Sequence, residues 1–370
     1  MKPKQRRTFY LDLVRVIAIV SITLNHAVNR SYRNYQGQMK EYLAIPLVST
    51  LFKTLITVLS HIGVPLFLMI TGVLILNKKM EDGNDLKRFY KHNLLSLFIT
   101  AEIWYILFYW YLVLDRGIQK IGWLKAIDGM FSTMLFQNQT TMDCMWYMPM
   151  ILCVYATLPF AIMVKDKLAN SKEKLLSLPM VLLFLTTMVM PFVSNLLKLL
   201  GLEGLKSPFE DNHLFSFYYI YIVVGYLIGK GLLNKLSTRS VALVAGGSFV
   251  ICCVYQLWAY SRPENYLVAY DFPLMPVCAG FLFELVRRGA DRLKKVQKPV
   301  TYISRIAFGI YFVHILVMTE LVKILNRYAP AMFRPVRLLT LEAVSVGLSI
   351  VVIFLLSRIK VFRKYLFLVK

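Results

Sequence analysis

The sequence predicts an all-α fold, a polytopic membrane helix bundle of about ten transmembrane helices with both termini on the cytoplasmic side. Three observations predict it. First, 58% of the 370 residues are hydrophobic and only 17% are charged, with a mean hydropathy of +0.58, whereas a soluble domain is roughly 45–50% apolar and about 25% charged. Second, apolar runs near the ~20 residues that cross a bilayer as a helix recur along the whole chain. Third, the stretches between them are short and alternate between strongly and weakly basic, the pattern that orients a membrane protein. One domain, 1–370, is therefore expected.

The ten expected spans are Leu11–Val28, Leu55–Leu76, Leu94–Leu114, Trp146–Val164, Leu175–Leu197, Leu214–Leu233, Val241–Tyr260, Phe272–Val286, Ile306–Leu325 and Leu338–Ser357. The second can begin earlier, near Ala44, and the eighth is short. The basic N-terminal stretch (Lys2, Lys4, Arg6, Arg7) followed by an apolar run is read as a retained first helix and not as a cleaved signal peptide. The run is long, lacks a small-residue cleavage site, and contains Arg15 and His26.

Lys and Arg concentrate on one side. The N-tail, the second connection (Lys78, Lys79, Lys87, Arg88, Lys91), the fourth (Lys165, Lys167, Lys172, Lys174), the sixth (Lys230, Lys235, Arg239), the eighth (Arg287, Arg288, Arg292, Lys294, Lys295, Lys298, Arg305) and the C-tail carry them. The even side holds about twice as many as the odd side, so the even side is cytoplasmic. Arg327, Arg334 and Arg337 are the outer exception. The longest outer stretch, Asp115–Asp143, contains Trp123, Asn138 and Gln139 and reads as a re-entrant or interfacial segment.

The net charge of +23 does not point to nucleic acid. The basic residues sit between apolar runs, where they orient the chain and meet anionic lipid headgroups. The partners are thus membrane lipids, with no nucleic acid. The five cysteines (Cys144, Cys153, Cys252, Cys253, Cys278) show no metal-ligand spacing and are read as small packed hydrophobes; no metal is expected.

Ionisable side chains inside the apolar spans are expensive and mark functional candidates. Arg15 and His26 lie eleven residues apart, about three full turns, so they share a face of the first helix with an axial offset of about 16 Å. Asp12, three residues before Arg15, is placed to hold its guanidinium. Imidazole is the natural general base near neutral pH, which makes His26 the catalytic candidate, with Asn25 beside it. Glu102 inside the third span is either a structural partner or a site residue. His61 and His314 read as packed, hydrogen-bonded histidines. Glu320 reads as solvated, and Glu284 as paired with the eighth connection.

Several motifs then resemble the integral membrane acyltransferase family 3. They are Phe9-Tyr10-Leu11-Asp12-Leu13-Val14-Arg15 at the start of the first span, the Arg15-x10-His26 spacing, Gly63-Val64-Pro65-Leu66-Phe67-Leu68-Met69-Ile70-Thr71-Gly72, Trp146-Tyr147-Met148, and Ile310-Tyr311-Phe312-Val313-His314. The family's usual Arg-x-x-Arg appears as Arg88-Phe89-Tyr90-Lys91, and Lys lacks the bidentate fork of Arg.

The resemblance implies a cytoplasmic acyl-CoA donor, acetyl-CoA foremost, with succinyl also open. It also implies an extracytoplasmic acceptor, a glycan or other cell-envelope hydroxyl, and a place in the plasma membrane. On that reading Arg15, Arg88 and Lys91 bind the donor's phosphates. Asn25, Thr71, Glu102, Trp146, Tyr311 and His314 position substrate. His26 acts as general base or is itself transiently acylated. The rival reading is a glycolipid or polysaccharide transporter without acyl transfer. A further rival, a membrane sensor or regulatory subunit, needs an effector domain that no loop is long enough to hold.

Overall fold

The computed structural model describes residues 8–32, 45–80, 82–135, 142–168, 180–204, 216–262 and 267–369, and every regular element among them is a helix. Outside the described residues lie the basic N-tail positions Lys2, Lys4, Arg6 and Arg7, and also Ala44, Asn138, Gln139, Lys172, Lys174 and Lys370. So do the expected starts of the fifth and sixth spans, Leu175 and Leu214.

The longer helices are α1 (Phe9–Ser31), α2 (Leu47–Ser60), α3 (Gly63–Ile75), α4 (Gly83–Arg116), α5 (Trp123–Met134), α6 (Tyr147–Leu168) and α7 (Met180–Leu199). They continue with α8 (Tyr218–Gly229), α9 (Thr238–Tyr260), α10 (Met275–Gly289), α11 (Gln297–Tyr328) and α12 (Arg334–Leu356). Among the described residues eight helical segments are long and apolar enough to cross a membrane. One of them, Met275–Tyr328, is two helices, α10 and α11, joined by a 3-10 segment at Ala290–Val296. With the short apolar α8, every one of the ten expected spans has its helix.

The second span is not one continuous helix. It breaks at His61–Ile62 between α2 and α3. Pro65 explains the break: it has no N–H to give the His61 carbonyl, and its ring crowds that carbonyl. Gly63 sits at the joint. A Cβ there would lie 2.7 Å from the Ala18 carbonyl oxygen and 2.8 Å from Ile22 Cγ1, so only glycine lets the start of α3 seat on α1.

α1 is the hub of the bundle, packed against α2, α3, α10, α11 and α12. The tightest crossing is between α3 and α8. A Cβ on Gly72 would come 1.9 Å from the Ile222 carbonyl oxygen, and one on Gly225 would come 2.3 Å from that of Met69. Close backbone approach through small residues is how membrane helices gain packing when no hydrophobic force drives them together.

α4 is 34 residues long, with a π turn at Tyr90–Leu94. Its Thr100 hydroxyl and Trp104 indole N–H donate to the carbonyls of Tyr365 and Leu366 at 2.8 and 2.9 Å, tying down the C-terminal segment. In the long stretch between α4 and α6, α5 packs back on α4, with Trp110 and Trp123 ring centroids 6.3 Å apart. It leaves Trp123, Leu124 and Phe131 exposed, the pattern of a helix lying in the membrane interface.

Glu284 is fully buried and accepts from Arg287 (2.7 and 2.8 Å) and Arg288 (2.6 Å), so it pairs as expected. Glu320 differs from its expectation. Though surface-exposed, it is ion-paired with Lys323 at 2.9 Å and accepts from the Tyr111 hydroxyl. The sequence places Lys323 one turn after Glu320, but Tyr111 arrives from a different span.

Candidate active site

His26 and Arg15 both lie on the unbroken α1. Near the start of the helix, Asp12 is almost fully buried. It accepts from Ser304 at 2.7 Å, from Thr301 at 3.0 Å and from Arg15 at 3.3 Å. Arg15 also donates to Ser304 Oγ at 2.9 Å. The expected Asp12–Arg15 hold is present, and α11 completes it. The Arg15 side chain is held there and remains 24% exposed.

Eleven residues on, His26 lines a small cavity of about 20 Å³. α1 contributes Ile22, Asn25 and His26, and α3 contributes Val64. The turn leading into α6 contributes Cys144 and Trp146, followed by Tyr147 as α6 begins. Tyr270 comes from the loop before α10, and Tyr311 from α11. The walls are aromatic. Trp146 stacks on Tyr270 (centroids 5.5 Å, 29°) and on Tyr218 (6.3 Å, 29°), and Tyr147 leans on Tyr311 at 5.7 Å. The Tyr311 hydroxyl donates to the Cys144 carbonyl, which fixes the turn over the cavity. An Arg30–Asp143 ion pair at 3.2 Å tethers the same turn to the end of α1.

Asn25 is a strut across the α2–α3 break. Its amide donates to Ser60 Oγ at 3.1 Å and lies 3.4 Å from the His61 ring, while its oxygen accepts from Asn29 at 3.2 Å. Its polar atoms are therefore committed to the protein, and it positions α1. His61 lies 2.8 Å from the Thr57 carbonyl through Nδ1 and sits 5.2 Å from the Tyr270 ring, a packed, hydrogen-bonded histidine as expected.

Two nitrogens at the site are buried with no hydrogen-bond partner, His26 Nδ1 and His314 Nε2. The two rings face each other with centroids 5.2 Å apart. A buried polar atom without a partner is costly and uncommon in native proteins, and here two such atoms share one place.

Of the ten candidate residues, His26, Asn25, Trp146 and Tyr311 line the cavity, and His314 stands directly behind His26. Thr71 lies elsewhere on α3, its hydroxyl donating to the Phe67 carbonyl at 3.1 Å. Glu102, on α4, has both carboxylate oxygens buried without a partner. Arg88 is surface-exposed and pairs with Asp85 one turn back at 3.6 Å, and Lys91 is exposed on the same helix. Tyr147, Tyr270 and Cys144 were not singled out as site residues. Tyr147 sits inside a quoted motif, whereas Tyr270 stands in no motif and no periodic pattern. Among the described residues no three His, Cys, Asp or Glu side chains come together as a metal site.

No curated protein and no solved structure matches the chain. A family model does: an acyltransferase domain, the type-3 acyltransferase family, matches residues 8–358. That span contains α1 with its Arg15–His26 face, the cavity, and every helix that builds it. The chain is a membrane protein that belongs to the acyltransferase 3 family, and its activity is that of an acyltransferase.

Proposed function

We propose that this protein moves an acyl group, acetyl foremost, from acyl-CoA in the cytoplasm to a hydroxyl of an extracytoplasmic carbohydrate or other cell-envelope acceptor. It works in the plasma membrane with both termini inside, and His26 is the general base. The observation that carries this reading is the position of His26. It is a histidine on the wall of an uncharged aromatic cavity, with a buried ring nitrogen that nothing in the protein satisfies, on the same face of α1 as Arg15.

The residues present suit the donor. Arg15 offers a held, partly exposed side chain about 16 Å along the axis from His26, a distance suited to an extended pantetheine arm. Arg88 and Lys91 add positive charge at the start of α4, on the basic, cytoplasmic side of the orientation read from charge. Arginine binds phosphate bidentately, while Lys91 contributes a point charge. In the cavity, a ring nitrogen of His26 takes the acceptor's O–H proton as the oxygen attacks the thioester carbonyl. The new C–O bond forms, the C–S bond breaks, and the proton passes from the imidazolium to the departing sulfur. Trp146 and Tyr311 shape the acceptor's approach.

The test uses inverted membrane vesicles given labelled acetyl-CoA, with label read in alkali-labile esters of the envelope fraction. Loss of a general base removes about 10²–10⁴ of the rate, so His26→Ala should fall by that factor while keeping its detergent melting profile. Arg15→Ala should raise the KM for acetyl-CoA. Wild-type label transfer by His26→Ala would sink the assignment. Absence of transfer by the wild-type protein would favour the transporter reading.

A further inference from the structure

The second orphaned nitrogen at the site belongs to His314, which is fully buried on α11. Its Nδ1 lies 2.8 Å from the Ile310 carbonyl, one turn back. A carbonyl only accepts, so Nδ1 carries the hydrogen. Nε2 of the neutral ring is then a bare lone pair. That lone pair is buried with no donor, and the opposite ring, His26, has its own Nδ1 buried with no acceptor. The rings are 5.2 Å apart and tilted by 47°. The terminal torsion of the His26 ring is broad, so the ring is free to turn its Nδ1 toward that lone pair. Catalytic hydrogen bonds are commonly long before substrate binds and tighten in the complex.

We propose that His314 is a positioning residue that acts through His26. Its Nε2 accepts the Nδ1 hydrogen of His26, leaves His26 Nε2 as the bare base toward the cavity, and shares the positive charge when His26 takes up the acceptor's proton. The proposal rests on the acyl-transfer reading. It gives α11 a role in the chemistry that a neutral imidazole performs here in place of the carboxylate commonly found behind a catalytic histidine. No ionised acid lines the cavity, so a neutral acceptor keeps the bundle free of a further buried charge. Proton bookkeeping closes within the pair. The proton taken at His26 Nε2 leaves from the same atom to the CoA sulfur, and the Nδ1 hydrogen never departs.

Two conservative variants separate this role from packing. His314→Asn keeps a polar group near the Ile310 carbonyl but leaves nothing where Nε2 stands. His314→Gln puts an amide oxygen at that place. In the vesicle assay His314→Asn should lose about 100-fold in rate with the KM for acetyl-CoA unchanged, and His314→Gln should stay within about 10-fold of wild type. The double variant His26→Ala/His314→Asn should be no slower than His26→Ala alone, because residues that act as a unit are not additive. Detergent melts screen all variants. If His314→Asn does not fold, His314→Met, which also lacks the acceptor nitrogen, takes its place. A fully active His314→Asn beside an inactive His26→Ala overturns the pairing and leaves the base assignment standing. So does a His314→Gln as slow as His314→Asn. An active His26→Ala overturns the base assignment and the pairing together.

Discussion

A methyl group at position 63 has no room. On Gly63 it would stand 2.7 Å from the Ala18 carbonyl oxygen, 2.8 Å from Ile22 Cγ1 and 3.0 Å from Ser21 Cβ. The Ile22 side chain can rotate, but the Ala18 carbonyl is backbone inside α1 and cannot. Ordinary contact begins at 3.4 Å, so Gly63→Ala must push the start of α3 away from α1 by about 0.7 Å. Overpacking of this kind costs about 1–3 kcal/mol. The ~1 kcal/mol that alanine gains over glycine inside a helix is only partly realised at the first residue of α3. The net loss is therefore about 1–2 kcal/mol, a drop of a few degrees in melting temperature.

The functional loss should be larger. Val64, the next residue, lines the cavity beside His26, and the 3.1 Å Asn25–Ser60 bond spans the same joint. A 1 Å displacement of reacting groups can cost about 10²-fold, so turnover should fall by about 10- to 100-fold in the vesicle assay. Gly246→Ala on α9 is the matched control, because a Cβ there meets nothing within 4 Å. Turnover of Gly63→Ala within twofold of wild type, with an unshifted melt, would refute the claim that this joint sets the site.

Two further predictions concern charge. Glu284 is fully buried between two arginines, so Glu284→Ala leaves uncompensated charge and should cost about 3–5 kcal/mol. The exposed Lys294–Asp291 pair should cost no more than about 1 kcal/mol when Lys294 is truncated; detergent melts compare the two. At the start of α4, Asp82 accepts from the Asp85 backbone N–H at 2.8 Å, and this bond holds its carboxyl below the usual aspartate range. A lowered folded value means the cap is fully effective above the ordinary aspartate pKa of about 3.9 and is lost as pH falls through the lowered value. Hydrogen exchange at Gly83–Phe89 should therefore accelerate in acid. Asp82→Asn, still a good cap, should remove that pH dependence.

Much of the architecture was legible because bilayer thickness dictates it. A run of twenty apolar residues has one common fate, and the ten expected spans each found a helix. The Arg15–His26 relation was legible for the same kind of reason, since helix geometry alone fixes two residues eleven apart. The break at His61 was not legible. Hydropathy reads composition along a run and is blind to backbone continuity, although Pro65 stood in the run as a usable signal. Tyr270 was invisible for a different reason: its partners His61 and Trp146 lie more than a hundred residues away in sequence, and no local pattern encodes such a meeting. The role of Asn25 was half legible. Its neighbourhood to His26 is written in the chain, but its commitment to Ser60, His61 and Asn29 appears only once α2 and α3 are folded against α1.

The hub position of α1 sets an order on how this protein comes into being. Asp12 and Arg15 are made first, yet their partners Thr301 and Ser304 lie 289 to 292 residues later, and the His314 ring that faces His26 comes almost as late. At a synthesis rate of about 5–20 residues per second, α1 waits roughly 15–60 s in the membrane with an ion pair it cannot yet bury and a histidine whose facing ring is not yet made. Competence therefore arrives late and all at once, when the last two spans dock. A chain stopped before α11 would have a membrane-embedded first helix carrying His26 and Arg15, and no cavity closed around them.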